Sequence, residues 1–161
     1  MIRTLIFILF AASGMAAAQG AQIAFGNLQD NSELPVEVKS DNLDVDQADG
    51  TAVFTGDVVI GQGDMRLSAE RVRIVYLEDE SGIERLSASG GVTLVSGEDA
   101  AEAARADYNI ETGIIEMRGD VLLLQGENAV SGDRMTVDTA SGTARMSGRV
   151  KTVLQPEGAA E

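Results

Sequence analysis

From residue 43 to residue 150, apolar and polar side chains alternate in short runs. Ala52, Phe54, Gly56, Val58 and Ile60 fall on one face, with Thr51, Thr55, Asp57 and Gly61 on or near the other. Ala88, Gly90, Val92 and Leu94 repeat the pattern, as do Met117, Gly119, Val121 and Leu123, then Met146, Gly148 and Val150. Leu43 and Val45, Val72, Ile74 and Tyr76, Ala106 and Tyr108, and Met135 and Val137 alternate in the same way. A period of two marks strands with one face buried. Asp49-Gly50-Thr51, Glu80-Ser81-Gly82, Thr112-Gly113 and Ser141-Gly142-Thr143 supply turn chemistry between the runs. Gly56, Gly90, Gly119 and Gly148 are predicted to sit mid-strand on the apolar face, where glycine marks a bulge, a bend or close approach of another backbone.

These glycines head a recurring Gly-X-Val: Gly56-Asp57-Val58, Gly90-Gly91-Val92, Gly119-Asp120-Val121 and Gly148-Arg149-Val150, spaced by 34, 29 and 29 residues. A second series begins at Ser40, Ala69, Ala103 and Gly132, spaced by 29, 34 and 29. Both fit a 29-residue unit with one five-residue insertion, which the acidic turn Leu77-Glu78-Asp79-Glu80-Ser81-Gly82 accounts for. A fixed period of this size implies stacked supersecondary units that cover each other's apolar faces. The expected fold class is all-β, with about four 29-residue repeats of short antiparallel strands. Such a stack offers an extended surface rather than a compact pocket.

Residues 98–106 conflict with this pattern, because Glu98-Asp99-Ala100-Ala101-Glu102-Ala103-Ala104-Arg105-Ala106 has strong helix propensity. They nevertheless occupy the register of a strand, with Arg71, Arg105 and Arg134 in step, and strand is the expectation. Residues 1–18 read as a cleaved signal peptide. Arg3 gives a positive start, Leu5–Ala12 an apolar run, and Ala16-Ala17-Ala18 a small-residue cleavage site. The run is shorter than the roughly 20 residues a spanning helix needs. Residues 19–35 are expected to form a flexible N-terminal segment, 36–154 the β domain, and 155–161 a flexible tail. Pro35 and Pro156, the two prolines, bracket the domain.

Composition removes most chemistry. With no His and no Cys, the usual zinc ligands, the commonest general base and the familiar nucleophile arrangements are missing. An enzyme is not expected, and neither is a cofactor or a metal. Asp41, Asp44, Asp46 and Asp49 invite a calcium reading. Their alternation with apolar residues directs them to a solvated strand face instead. Asp57 and Asp120 share a slot with Gly91 and Arg149, so they mark a turn or exposed-face preference rather than catalytic carboxylates. The in-step arginines fit either phosphate contacts or cross-strand pairing with carboxylates, and pairing is the expectation. A formal charge of −14 repels nucleic acid and anionic lipid headgroups.

The apolar face remains. It is poor in aromatics, with four Phe and two Tyr in the chain, and is lined by Val, Ile, Leu, Met and Ala. Alkyl chains need apolar area and no directional bonds, and each buried methylene contributes about 0.8 kcal/mol. A closed core of the same residues is the alternative, and composition does not separate the two.

The run Val36–Tyr76, with Ser40-Asp41-Asn42-Leu43, Gly50-Thr51-Ala52, Phe54-Thr55-Gly56-Asp57-Val58 and Leu67-Ser68-Ala69-Glu70-Arg71, resembles the LptA/OstA-like family, and the repeats continue the likeness to Val150. The resemblance implies an open β-jellyroll in the periplasm that carries the lipid A acyl chains of lipopolysaccharide in an apolar groove. Phe54, Val58, Ile60, Leu67, Val72, Ile74, Tyr76, Leu94, Tyr108, Met117, Val121, Leu123, Met135 and Val137 are the groove candidates. It also implies end-to-end strand pairing in a bridge across the periplasm. Val36 and Val38 would meet an LptC-like inner-membrane protein, and Val150 and Val153 an LptD-like outer-membrane protein, with head-to-tail self-association possible at the same edges. LptC-like proteins keep an anchor, which the cleavage site argues against. An LptD-like chain would continue into a barrel, whereas this one stops at Glu161. The rival reading is a structural or adhesive β-repeat protein with a closed core and protein partners only.

Overall fold

A computed structural model describes residues 22–26, 34–79 and 81–155. The expected signal peptide and residues 156–161 of the expected tail lie outside the described residues. Every regular element described is a strand: β1 Gln22–Ala24, β2 Glu37–Lys39, β3 Asn42–Asp46, β4 Thr51–Gln62, β5 Met65–Tyr76, β6 Ile83–Ser96, β7 Asp99–Asn109, β8 Ile114–Gln125, β9 Asn128–Asp138, β10 Thr143–Ser147 and β11 Lys151–Val153. All pair antiparallel in one sheet, ordered β1-β10-β9-β8-β7-β6-β5-β4-β2, with β3 also on β4 and β11 also on β9. The alanine-rich stretch is therefore strand β7. Its inward Ala101, Ala103 and Ala106 are at most 8% exposed, so burial between β6 and β8 outweighs its helix propensity.

The Gly-X-Val units are β-bulges. The register slips between Thr55 and Val58, Ser89 and Val92, and Arg118 and Val121, where two residues oppose one: Glu70, Ala104 and Asp133 respectively. Both residues of each unit have positive φ, including Asp57, Asp120 and Arg149 at 43°, 47° and 46°. The second repeat series explains the glycines that precede them. Asp41, Glu70, Ala104 and Asp133 lie against Gly56, Gly90, Gly119 and Gly148 respectively, each across a strand pair. The bulge turns Gly90, Gly119 and Gly148 outward, which corrects their predicted place on the apolar face.

The bulges fold the sheet over its own inward face. Gln62 and Tyr108 lie in registered rows ten residues apart along the strands, on the order of 30 Å in a flat sheet. The Tyr108 hydroxyl nevertheless donates to Oε1 of Gln62 at 3.3 Å. Two rims therefore meet along a seam. One rim carries hairpins Gln62–Met65, Ser96–Asp99 and Gln125–Asn128, each turning on a positive-φ glycine followed by an acidic residue. The other carries side-chain-held turns. Asp46 Oδ1 accepts from the N–H groups of Ala48 and Asp49, Asn109 Oδ1 from Thr112, and Asp138 Oδ1 from Ala140 and Ser141. Asp46 thus holds a turn, the local job its type favours.

Within residues 19–35, Gln22, Ile23 and Ala24 join the sheet and pair with Arg145, Ala144 and Thr143. Phe25 follows them into the core and is fully buried. Two apolar side chains, Ile23 and Phe25, at strand spacing supply the reason.

Candidate functional site

The inward face is a set of continuous apolar rows. In the longest, Val45, Ala52, Ile74, Leu86, Tyr108, Ile115, Val137, Ala144 and Ile23 stand side by side across nine strands. A second row runs from Leu43 and Phe54 through Val72, Ala88, Ala106, Met117 and Met135 to Met146. The folded-over half adds Val38, Ile60, Leu67, Leu94, Ala101, Leu123 and Val130. All fourteen predicted groove residues lie on this face. Val58, Ile60, Leu67, Val72, Ile74, Leu94, Tyr108, Met117, Val121, Leu123, Met135 and Val137 are buried in one cluster, and Phe54 and Tyr76 are half-buried.

The interior is therefore packed with its own side chains through its middle, as the closed-core reading expects. It is not closed at both ends. Exposure along the two rows rises from near zero inside to 61% at Val45 and 52% at Leu43. Those two side chains stand on the inward rows, yet no described residue covers them. Tyr76, Thr51 and Val45 border a recess of about 260 Å³ at this mouth. Leu43 and Val45 were legible only as strand alternation, because sequence does not say which strand ends the stack. At the opposite end Ala144 and Met146 are buried, with β1 laid on the outer edge of β10 and Phe25 in the core.

Few polar groups enter. Among the described residues, Gln62, Ser96, Thr51 and Thr139 are the buried ones. Burial raises the pKa of the Tyr108 phenol above its usual value, against the lowering effect of a hydrogen bond with Thr139.

Outside, the expected pairing of the arginines does not occur. Arg71, Arg105 and Arg134 form no ion pair among the described residues. Register places Arg118 directly between Arg105 and Arg134, and Arg118 takes the nearby carboxylates, Glu116 and Asp107. Asp133 pairs instead with Arg149, which lowers its carboxyl pKa. The edge residues divide. Val36 and Val38 are half-buried, with Val38 facing Ile60, while Val150 and Val153 are 43% and 46% exposed.

A single bulged sheet folded over an apolar face, with its strand edges left at both ends, has known counterparts. The family described as LptA/(LptD N-terminal domain) LPS transport protein matches residues 37–143. The chain belongs to this family. An uncharacterized protein of Rhizobium meliloti is 28% identical over 153 residues, covering 88% of this chain and 82% of the relative. The lipopolysaccharide export system protein LptH of Pseudomonas aeruginosa is 35% identical over 69 residues, which is 43% of this chain and 38% of LptH. The crystal structure of LptH, the LptA homologous periplasmic component of the lipopolysaccharide transport device of Pseudomonas aeruginosa, superposes with a TM-score of 0.70 at 21% identity. That match covers 78% of this chain and 99% of LptH's, and establishes the β-jellyroll fold.

Proposed function

We propose that the protein is a non-enzymatic carrier and bridge for lipopolysaccharide in the periplasm. Lipid A acyl chains enter the folded sheet from the β3 end and lie along its inward rows, leaving the sugar and phosphate head in water. The observation that carries this reading is the exposure of Leu43 and Val45 at one end of rows that are buried through their middle. Leaving two large inward apolar side chains in water is unfavourable, and an alkyl chain that covers them removes that cost. In this reading the groove candidates line the path, with Phe54 and Tyr76 at its entrance.

Bridging rests on the sheet's two ends. β2 and β3 leave one free edge and β11 another, each a template for an added strand. The edges differ in charge. Residues 36–49 carry Glu37, Asp41, Asp44, Asp46 and Asp49 against Lys39, a net −4. Residues 143–154 carry Arg145, Arg149 and Lys151 with no acid, a net +3. Complementary edges favour head-to-tail union of copies and disfavour like edges meeting. The acidic edge would meet an LptC-like protein and the basic edge an LptD-like one.

Mixing the purified protein with lipopolysaccharide and following co-elution on gel filtration tests the carrier reading. Co-elution that Leu43→Asp with Val45→Asp abolishes, without loss of fold, is the expected result. Lipid retained equally by both proteins would place it elsewhere, and no co-elution by either would favour the structural repeat protein.

A further inference from the structure

The N-terminal segment spans the seam between the two rims. Phe25 donates its backbone N–H to the carbonyl of Gly142, on the rim of side-chain-held turns, at 2.9 Å. The next residue, Gly26, donates its N–H to Oδ2 of Asp99, on the glycine-hairpin rim, at 2.8 Å. Two consecutive residues thus tie the rims together while the Phe25 ring fills the core between them. Gln125 Nε2 reinforces the tie, donating to the carbonyl of Ala24 at 2.7 Å and to Asp99 at 2.9 Å. Gly26 is required there: its φ is +51°, and a β-carbon would lie 2.2 Å from Oγ of Ser96. Further along, the Leu34 carbonyl accepts from Nε2 of Gln62 at 3.0 Å. Gln62, Ser96 and Gln125 hold the same place in three successive repeats, so this rim carries a row of polar residues.

The attachment is slight for an element that closes a core. β1 pairs over three residues on one side only. The hydroxyl of Ser96, fully buried under Gly26, has no hydrogen-bond partner among the described residues. Moving the segment away would let water reach that hydroxyl and offset part of what is lost. A phenyl ring and an alkyl chain make the same demand on an apolar compartment, since neither needs a directional bond.

We propose that residues 22–26 form a displaceable strap, and that the compartment held by Phe25 is an alkyl-chain site for which the protein's own phenyl ring stands in when no lipid is bound. The proposal rests on the carrier reading. Lipid chains longer than the open mouth accommodates extend toward the β10 end by expelling Phe25, and the strap returns when the lipid leaves.

The chain has no cysteine, so a reversible lock is clean to build. Ala24 and Thr143 face each other across β1 and β10, within disulfide reach for registered strands. The probe is a palmitic acid bearing a diazirine, irradiated with the full chain. In Ala24→Cys with Thr143→Cys, labelling is expected to fall at least tenfold on oxidation and to return on reduction. Thr136→Cys with Arg145→Cys, a staple between β9 and β10 that leaves β1 free, is expected to label equally in both states. Phe25→Ser is expected to label more strongly than the parent. Equal labelling of the locked and reduced strap overturns the strap and leaves the carrier reading standing. No labelling of any form overturns both.

Discussion

Gly119 passes so close to Ala104 that a β-carbon added to it would sit 2.8 Å from the Ala104 Cβ. The contact is one of four equivalent ones that set the bend of each repeat. Gly91, by contrast, has φ of +79° but open space around it. Gly119→Ala, at φ +87°, is expected to cost about 2–4 kcal/mol, combining left-handed strain with overpacking. Gly91→Ala should cost about 1–2 kcal/mol from strain alone. Urea unfolding of the two variants checks the difference; equal losses would mean that the close approach does not hold the bend.

That relationship also shows how far the sequence can be read. The two repeat series were visible as spacings, and between Ala52 and Met146 alternation assigned the inward side chains but not the bulge glycines. What spacing does not carry is the pairing that joins the series, because Ala104 and Gly119 touch across strands and not along the chain. Counting Gly119 into the alternation put it on the apolar face, since an inserted bulge residue does not show in a period of two. Arg105 likewise looked free to pair with carboxylates until the register set it beside Arg118. Strand β1 was missed for a different reason. Ile23 and Phe25 form too short an apolar signal to stand out among polar neighbours, and their partner strand lies some 120 residues away. The open mouth at Leu43 depends on what does not cover it, which local pattern cannot encode.

Tyr108 links the two halves through Gln62, and burial holds its proton more tightly than in the unfolded chain. A folded pKa above the unfolded value of 10 means the native state keeps a proton that the unfolded state releases. The stability it contributes is present below pH 10 and is lost as pH rises through the folded pKa. Tyr108→Phe is expected to cost about 1 kcal/mol at neutral pH and to flatten the alkaline decline. Thermal melts of both proteins from pH 8 to pH 11 measure each effect, and parallel declines would contradict it.

Opposite charges on the edge strands make head-to-tail association sensitive to salt, since exposed charges are screened over about 8–10 Å at physiological ionic strength. Sedimentation at low salt should show larger species that dissociate near 0.5 M salt, a concentration chosen on the order of full screening. Asp44→Lys with Asp46→Lys should weaken association several-fold. Adding Arg149→Glu and Lys151→Glu to the same chain should restore it. Association indifferent to both salt and reversal would show that the edges meet through backbone and apolar contacts alone.

The central claim is that the inward face receives lipid from its open β3 end. Photo-crosslinking side chains placed singly at Leu43, Phe54 and Tyr76, at the mouth, and at Arg71 and Glu102, on the outer face, test it directly in cells that make lipopolysaccharide. Adducts with lipopolysaccharide at the three mouth positions and none at the two outer ones are predicted. Adducts spread evenly over all five, or protein adducts alone at the mouth, would contradict the account.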